Sequence, residues 1–108
     1  MKRGDIVIAA ERGDYAGKPR PYVVVQSTMA VDGAAAITLC PLTSRLTGMN
    51  LFRVAVPPVH GTGLIVSSEI QVDRITTIRR TRVRDVIGTL PNECLKQVDA
   101  ALRRWLAL

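Results

Sequence analysis

The segment that most constrains the fold is residues 17–28, in which a basic, proline-rich approach, GKPRP, runs directly into the apolar sequence YVVV. Pro19 and Pro21 lack an N–H group and fix φ, so Arg20, which also precedes a proline, is held extended. Residues 22–25 are aromatic and β-branched without a helical period, which predicts a buried strand. The guanidinium of Arg20 therefore leaves a rigid edge at the mouth of a strand, where it either grips a phosphate group or lies solvated in a turn.

The other apolar segments favour short antiparallel strands, because apolar and polar residues alternate or form runs of about five. Pro41 ends one such segment and Pro57 ends another, as strand ends or an edge strand would. Together they indicate a sheet of five or six strands. Besides residues 22–25, the predicted strands cover residues 6–10, 36–40, 51–56 and 68–78.

A dense basic run follows the last predicted strand and includes Arg79 and Arg80. It either holds an RNA backbone or forms a solvated face, and the local sequence is compatible with both. Three apolar residues of this run are predicted to be buried: Val83, Val86 and Ile87.

One amphipathic helix is predicted at the C-terminal end. Pro91 and Glu93 indicate its start, because proline is tolerated in the first turn and an acidic side chain suits the positive end of the helix dipole. Apolar residues then recur at three- and four-residue steps as far as Leu106, and Trp105 in that stripe is interpreted as a core residue. We therefore expect one mainly β domain over residues 1–108, with a C-terminal helix and no internal repeat.

The charge balance favours an anionic partner. Lysine and arginine number 15 against 9 acidic residues, which gives a net charge of +6 and a pI near 10.2. Nucleic acid or an acidic protein segment would suit such a surface, although a merely soluble basic protein has the same composition. No apolar run approaches the roughly 20 residues that span a bilayer, and no signal-peptide core follows the first residues, so we expect a soluble, unexported protein.

The cysteines and the single histidine do not indicate a metal or cofactor site. Cys40 and Cys94 are far apart, lie in apolar surroundings and form no CxxC motif, which favours reduced packing residues over a disulfide. His60 lies in a turn-rich segment, without Cys, His and carboxylate neighbours at ligand spacing. We expect no metal ion and no cofactor.

Five motifs follow one another in an order that is similar to a known family. They are RGDIV at residues 3–7, GKPRP leading into VVVQ at 17–26, PLTS at 41–44, VDRITTI at 72–78 and VDAAL at 98–102. In this order and spacing they resemble, from end to end, the MazF/PemK-type toxins of bacterial type II toxin–antitoxin pairs.

That resemblance implies a fold and an activity. The fold would be a small SH3-like antiparallel barrel of the CcdB/MazF type with a C-terminal helix, which agrees with the strand count above. The activity would be that of a cytoplasmic, homodimeric endoribonuclease that cuts single-stranded RNA at short sequences without a metal ion. The cut would leave a 2′,3′-cyclic phosphate and a 5′-hydroxyl and would inhibit translation and growth. A cognate antitoxin with an acidic, flexible tail would silence the enzyme by lying along its RNA groove.

The resemblance also implies the catalytic residues. Arg20 corresponds to the arginine of the family's RP segment, and Thr43 corresponds to the threonine after its third strand. When the ribose 2′-hydroxyl attacks the adjacent phosphate, negative charge grows on the phosphate oxygens, so a fixed guanidinium at Arg20 would stabilise the transition state and could also donate a proton. Thr43, with Ser44, would hydrogen-bond the scissile phosphate or, alternatively, only cap a short helical turn.

Some family members carry an Arg-x-Asp pair on the strand that matches residues 71–73. Here Gln71 occupies the arginine position, as a candidate for catalysis or base contact. Only Asp73 remains of the pair, either as a structural residue or in base contact or proton transfer. Alternation along a strand would turn Arg74 away from Asp73. The other predicted RNA contacts are Tyr15, Lys18, Arg45, Arg53, Arg79 and Arg80.

Two other functions remain open. A CcdB-like toxin of the same fold would bind and poison DNA gyrase without nuclease activity, using a tryptophan near its C-terminus to which Trp105 could correspond. A catalytically inert nucleic-acid-binding barrel would need stacking aromatics, and only 4% of the residues are aromatic. The sequence specifies neither the RNA cleavage site, nor the antitoxin, nor the dimer surface.

Overall fold

Seven strands and one helix make up the described part of the chain, residues 1–11, 18–49 and 51–108 of a computed structural model. Short 3-10 turns lie at Thr28–Ala30, Val72–Arg74 and Arg80–Arg82. In chain order the elements are β1 (Asp5–Ala9), β2 (Arg20–Val24), β3 (Ala36–Thr43), β4 (Arg53–Val56), β5 (Ser68–Gln71), β6 (Thr76–Arg79), β7 (Val83–Thr89) and α1 (Asn92–Leu106).

All strand pairs are antiparallel, and β3 lies at the centre of the sheet. The hydrogen-bonded order is β4-β5-β3-β2-β1-β7, while β6 pairs with the first half of β3, from Ala36 to Leu39. The second half of β3 pairs with β5 at Leu42 and Thr43. The predicted mainly β class with a C-terminal helix is confirmed. Within the described residues the sheet does not close into a barrel, because β4 and β7 end the order without pairing with each other.

The core has two parts, one on each face of the sheet. Ile6, Val23 and Cys40 belong to the part that also receives Val98 of α1. The residues that follow or precede them in the strands, such as Val24, belong to the second part. Successive strand residues point to opposite faces, so burial of both faces explains why residues 22–25 are apolar without alternation.

The prediction of one long strand over residues 68–78 is wrong. The chain forms β5, then a 3-10 turn at Val72–Arg74, then β6. The reason lies in β3, which pairs with β5 at its end and with β6 at its beginning. After β5 the chain therefore has to cross from the end of β3 to its beginning before it forms β6. Buried Val72 anchors the step by donating its N–H to the carbonyl of Phe52 at 3.0 Å. Asp73 and Arg74 lie in this turn and not in a strand, so the expectation that strand alternation turns Arg74 away from Asp73 does not apply. Both residues line the same groove.

Two further strand boundaries differ from the sequence-based expectation. β3 continues past Pro41 to Thr43, since the residues around Pro41 lie where β3 changes its second partner from β6 to β5 and a missing N–H is tolerated there. The basic run continues into β7, which the pattern did not predict. Val86 is 49% exposed rather than buried, because β7 is an end strand with register shifts against β1.

The last turn of α1 lies beyond the core. The helix buries Cys94, Val98 and Ala101. Trp105, which was predicted to be a core residue, is 43% exposed and contacts Phe52 edge to face with ring centroids 5.1 Å apart. The covered stripe thus ends one turn before the helix does.

Both cysteines are free and buried, as predicted. Burial raises the pKa of Cys40 to about 12 and also raises that of Cys94. These thiols are therefore protonated packing residues. None of the helices in the described residues is long and apolar enough to cross a membrane.

Replacement of Gly88 should test the close packing of β7. A Cβ at Gly88 would lie 2.2 Å from the carbonyl oxygen of Thr62 and 2.5 Å from that of Gly61, and both are backbone atoms. We expect Gly88→Ala to lower the free energy of unfolding in urea by about 2–3 kcal/mol. Gly33→Ala is the control: its Cβ would meet nothing within 4 Å and should cost only about 1 kcal/mol for its φ of +77°. Equal losses in the two variants would contradict the close contact.

Candidate functional site

A polar groove of about 730 Å³ brings together four of the predicted site residues. Two of them, Arg20 and Thr43, come from β2 and β3, and the other two, Gln71 and Asp73, come from the end of β5 and the turn after it. Glu11 and Thr76 line one end of the groove. The four predicted site residues, which are up to 53 positions apart in sequence, thus share one concave surface.

Strand register explains why Arg20 and Thr43 meet. β2 and β3 are antiparallel, with Tyr22 opposite Pro41. Extending that register by two residues places Arg20, at the start of β2, opposite Thr43, at the end of β3. A step of two also returns both side chains to the face on which Tyr22 and Pro41 lie.

The hydroxyl of Thr43 already has one structural role. Its Oγ1 accepts a hydrogen bond from the N–H of Arg45 at 3.1 Å, which turns the chain as it leaves β3. This is the local bond expected for a threonine in a turn, without a following helix. A hydroxyl that accepts one bond still has its hydrogen to donate, so Thr43 is able to bind a phosphate oxygen at the same time.

Arg20 and Thr43 form a ridge between two grooves, and Ser44 lies on the side of this ridge away from the polar groove. It lines a second groove of about 320 Å³, to which Arg20 and Thr43 also contribute. Apolar side chains such as Leu64 and Ile65 form much of the remaining lining. Arg20 and Thr43 thus stand between a polar groove and a more apolar one.

Asp73 is held by an arginine from a neighbouring strand. Arg53 of β4 donates from Nε to Oδ1 at 2.7 Å and from Nη2 to Oδ2 at 3.2 Å. The hydrogen bond from Arg53 outweighs desolvation and holds the pKa of Asp73 below its ordinary value of 3.8, and the same bond raises the pKa of Arg53. Asp73 is therefore an ionised, oriented carboxylate in the groove wall.

A second carboxylate, Glu69, stands behind Arg53 and was missed by the sequence analysis. It is only 5% exposed, and its Oε1 lies 3.9 Å from Nη1 of Arg53. It accepts hydrogen bonds at 2.9 Å from the N–H groups of Gly48 and Thr47 and from the Thr47 hydroxyl. These bonds, that from Gly48 foremost, outweigh desolvation and hold the pKa of Glu69 below its ordinary value of 4.5. A glutamate between Ser68 and Ile70 in a short strand was the available signal.

The basic run divides into two roles. Arg80 donates to the carbonyls of Val31 at 2.6 Å and Ala34 at 3.4 Å, so it fastens the β2–β3 connection. Arg79 and Arg82 instead line a groove of about 450 Å³ that shares Glu11 and Thr76 with the polar groove. Arg79 is the last residue of β6, and Arg82 is the last residue of the 3-10 turn that follows it. Arg82 belongs to the basic run that the sequence analysis considered for an RNA backbone, but it was not among the predicted contacts.

The remaining predicted RNA contacts either lie at the edge of the grooves or fall outside the described residues. Lys18 is exposed just before β2, and Arg45 is exposed just after β3. Tyr15 lies outside the described residues. Residues 1–11, 18–49 and 51–108 contain no group of three His, Cys, Asp or Glu side chains that could hold a metal ion.

Comparisons of the sequence and of the structure with known proteins agree on one family. A model of PemK-like, MazF-like toxins of type II toxin–antitoxin systems matches residues 2–106. The chain is 36% identical to a probable endoribonuclease MazF of Mycolicibacterium smegmatis and 33% identical to the endoribonuclease MazF9 of Mycobacterium tuberculosis, each comparison covering 100% of this chain and 98% of the relative. It also resembles a solved mycobacterial endoribonuclease in complex with its cognate antitoxin, with a TM-score of 0.83, 20% identity and coverage of 100% and 96%.

The two carboxylates of this site, Asp73 and Glu69, both have lowered pKa values and therefore predict a loss of stability in acid. Because the folded-state pKa values of Asp73 and Glu69 lie below their ordinary values of 3.8 and 4.5, their contribution is complete above about pH 5 and is lost as the pH falls through the folded-state values. We expect the urea midpoint to fall between pH 5 and pH 3. Asp73→Asn should lower the midpoint at pH 7 and flatten this pH dependence. A variant as steeply pH-dependent as the parent would argue against the Arg53 pair.

Proposed function

The chain belongs to the family of PemK-like, MazF-like toxins of type II toxin–antitoxin systems, and we propose that it is a sequence-specific, metal-independent endoribonuclease that cuts single-stranded RNA. Attack of the ribose 2′-hydroxyl on the adjacent phosphate would leave a 2′,3′-cyclic phosphate and a 5′-hydroxyl. Loss of mRNA would inhibit translation and growth in the bacterial cytoplasm. The observation that carries the proposal is the register that sets Arg20 opposite Thr43 at one end of a polar groove.

Each member of this pair has a defined task in the reaction. Negative charge grows on the nonbridging phosphate oxygens and on the leaving 5′-oxygen, and the guanidinium of Arg20, carried on a backbone that the flanking prolines restrict, stabilises it. Thr43 donates its hydroxyl hydrogen to a phosphate oxygen and holds the phosphorus in line with the attacking 2′-oxygen. Ser44, which lines the second groove together with Arg20 and Thr43, assists in holding the phosphate group.

The substrate path follows the grooves away from this pair. RNA passes from Arg20 and Thr43 along Gln71 and Asp73, and then into the adjoining groove. Arg79 and Arg82 bind phosphate groups there, while Lys18 and Arg45 attract the strand at the ridge. Arg80 does not bind the RNA in this proposal, because its guanidinium already donates to the backbone carbonyls of Val31 and Ala34.

The partners follow from family and charge. A solved relative is described as an endoribonuclease in complex with its cognate antitoxin. A net charge of +6 on this chain gives an acidic, flexible antitoxin tail a surface to bind, and the RNA grooves are the part where it would compete with substrate. We also propose a homodimer, the state implied by the family resemblance.

The gyrase-poison alternative has one point in its favour. Trp105 is 43% exposed, so it is accessible to another protein. Against that reading, the relatives named above are endoribonucleases, and the groove around Arg20 is polar and joined to an arginine-lined extension. Substitution of Arg20 separates the two functions.

We expect Arg20→Ala to lower kcat for RNA cleavage by about 10²–10³-fold, because one transition-state donor is removed. The measurement is cleavage of a long single-stranded RNA in EDTA, with mapping of cut sites and end groups. Arg84→Ala, which removes an exposed arginine outside the grooves, is the control and should cut as the parent does. Cleavage by Arg20→Ala at the parental rate would disprove the assignment. Intact RNA with the folded parent, together with growth inhibition by Arg20→Ala in cells, would favour a gyrase target.

Substitution of Arg79 and Arg82 tests the path. A single-stranded ligand loses about 0.7 in the slope of log K against log salt for each phosphate contact removed. We therefore expect the double variant Arg79→Ala/Arg82→Ala to reduce the slope by about 1.4 for a mapped RNA that carries a 2′-deoxy group at the scissile position. Arg84→Ala should leave the slope unchanged. An unchanged slope in the double variant would exclude the adjoining groove from the path.

A further inference from the structure

We propose that Arg53 is a positioning residue, which holds Asp73 as a fixed acceptor that reads one base of the RNA. This inference rests on the proposed endoribonuclease function and specifies how the same groove selects its substrate. It replaces the expectation that Arg53 contacts the RNA itself. The bases selected are those with an amino group, cytosine, adenine or guanine, as opposed to uracil.

The geometry of the ion pair leaves Arg53 little freedom to bind RNA. Two of its nitrogens are engaged by Asp73, at 2.7 Å and 3.2 Å, in the forked arrangement that suits a guanidinium and a carboxylate. The third nitrogen faces Glu69 at 3.9 Å, and the side chain is 15% exposed. Asp73 is 28% exposed and lines the polar groove, whereas Arg53 does not.

The sheet explains how β4 supplies this arginine. Arg53 pairs in register with Gln71, the residue two positions before Asp73. The 3-10 turn at Val72–Arg74 then carries Asp73 back toward β4. An arginine on the neighbouring strand thus reaches the carboxylate although position 71 of the same segment is a glutamine.

Glu69 fixes the arginine from behind. It is buried, and besides Arg53 it binds the N–H groups of Thr47 and Gly48. The connection between β3 and β4 is therefore tied to the same unit that orients Asp73. Because Arg53 lies between Glu69 and Asp73, its guanidinium has little freedom to turn. Asp73 is therefore held in one orientation in the groove, as recognition of a base requires.

The chemistry of Asp73 in this state suits recognition better than proton transfer. An ionised carboxylate only accepts hydrogen bonds, and each oxygen has lone pairs beyond the one that Arg53 uses. The exocyclic amino groups of cytosine, adenine and guanine donate such bonds, and a carboxylate contact to the cytosine amino group is an established pairing. A general base works best with a pKa near the operating pH, and the Arg53 pair moves the pKa of Asp73 away from it.

The test is the cleavage preference at each position around the cut, read by sequencing the products of a randomised RNA pool. We expect Asp73→Asn to reduce the preference for an amino-bearing base at one position by about tenfold and to admit uracil there, because an amide also donates. Arg53→Gln should broaden the same position, and Arg53→Lys should restore part of the preference. The double variant should broaden it no further than Asp73→Asn alone, since both changes act on one contact. KM at the parental site should rise more than kcat falls.

The control is Asp99→Asn, which breaks the ion pair with Arg3 at 2.6 Å, away from these grooves, and should keep the parental preference. A folded Asp73→Asn variant that keeps every parental preference would overturn the inference. So would a loss confined to kcat with a changed pH profile, which would assign proton transfer to Asp73. The isosteric Asp73→Asn carries the test even where Arg53→Gln fails to fold. A parent that cut no RNA would overturn the proposed function, whereas a selective parent with equally selective variants would overturn this inference alone.

Discussion

The shared use of β3 is the constraint on which the rest of the structure depends. One edge of β3 pairs with β2, while its other edge pairs first with β6 and then with β5. The first pairing aligns Arg20 with Thr43. The change of partner on the second edge forces the turn at Val72–Arg74, which places Asp73 in the same groove. A single strand therefore assembles both halves of the candidate site, and its apolar residues, buried on both faces, keep the register from slipping.

Arginine serves two purposes in this protein, and contacts distinguish them where sequence does not. Arg53 and Arg80 are held by carboxylates or backbone carbonyls and organise the chain around them. Arg79 and Arg82 line a groove, and their side chains make no hydrogen bond or ion pair to any described residue, so their charge is available to a ligand. The positive charge that suits RNA is thus only partly available to it, and the remainder stabilises the connections that shape the grooves.

The sequence predicted what local chemistry determines. The prolines on both sides of Arg20 and the β-branched run located β2, which begins at Arg20, and periodicity located α1. The errors concern long-range contacts. The strand break at Val72–Arg74, the pairing of Arg53 with Asp73 and the anchoring role of Glu69 all depend on which strands become neighbours, and no periodicity encodes that choice. Trp105 was placed in the core because its stripe is apolar, but the sheet ends before the helix does.

The buried thiols give the molecule two internal reporters. Cys40 lies in the central strand and Cys94 in the first turns of α1, and a thiol has to reach solvent and ionise before an alkylating reagent can modify it. Cys94 therefore becomes reactive when the helix leaves the sheet, whereas Cys40 does so only when the sheet itself opens. The alkylation rates of the two sites therefore measure separately how often the helix detaches and how often the sheet opens, without an engineered label.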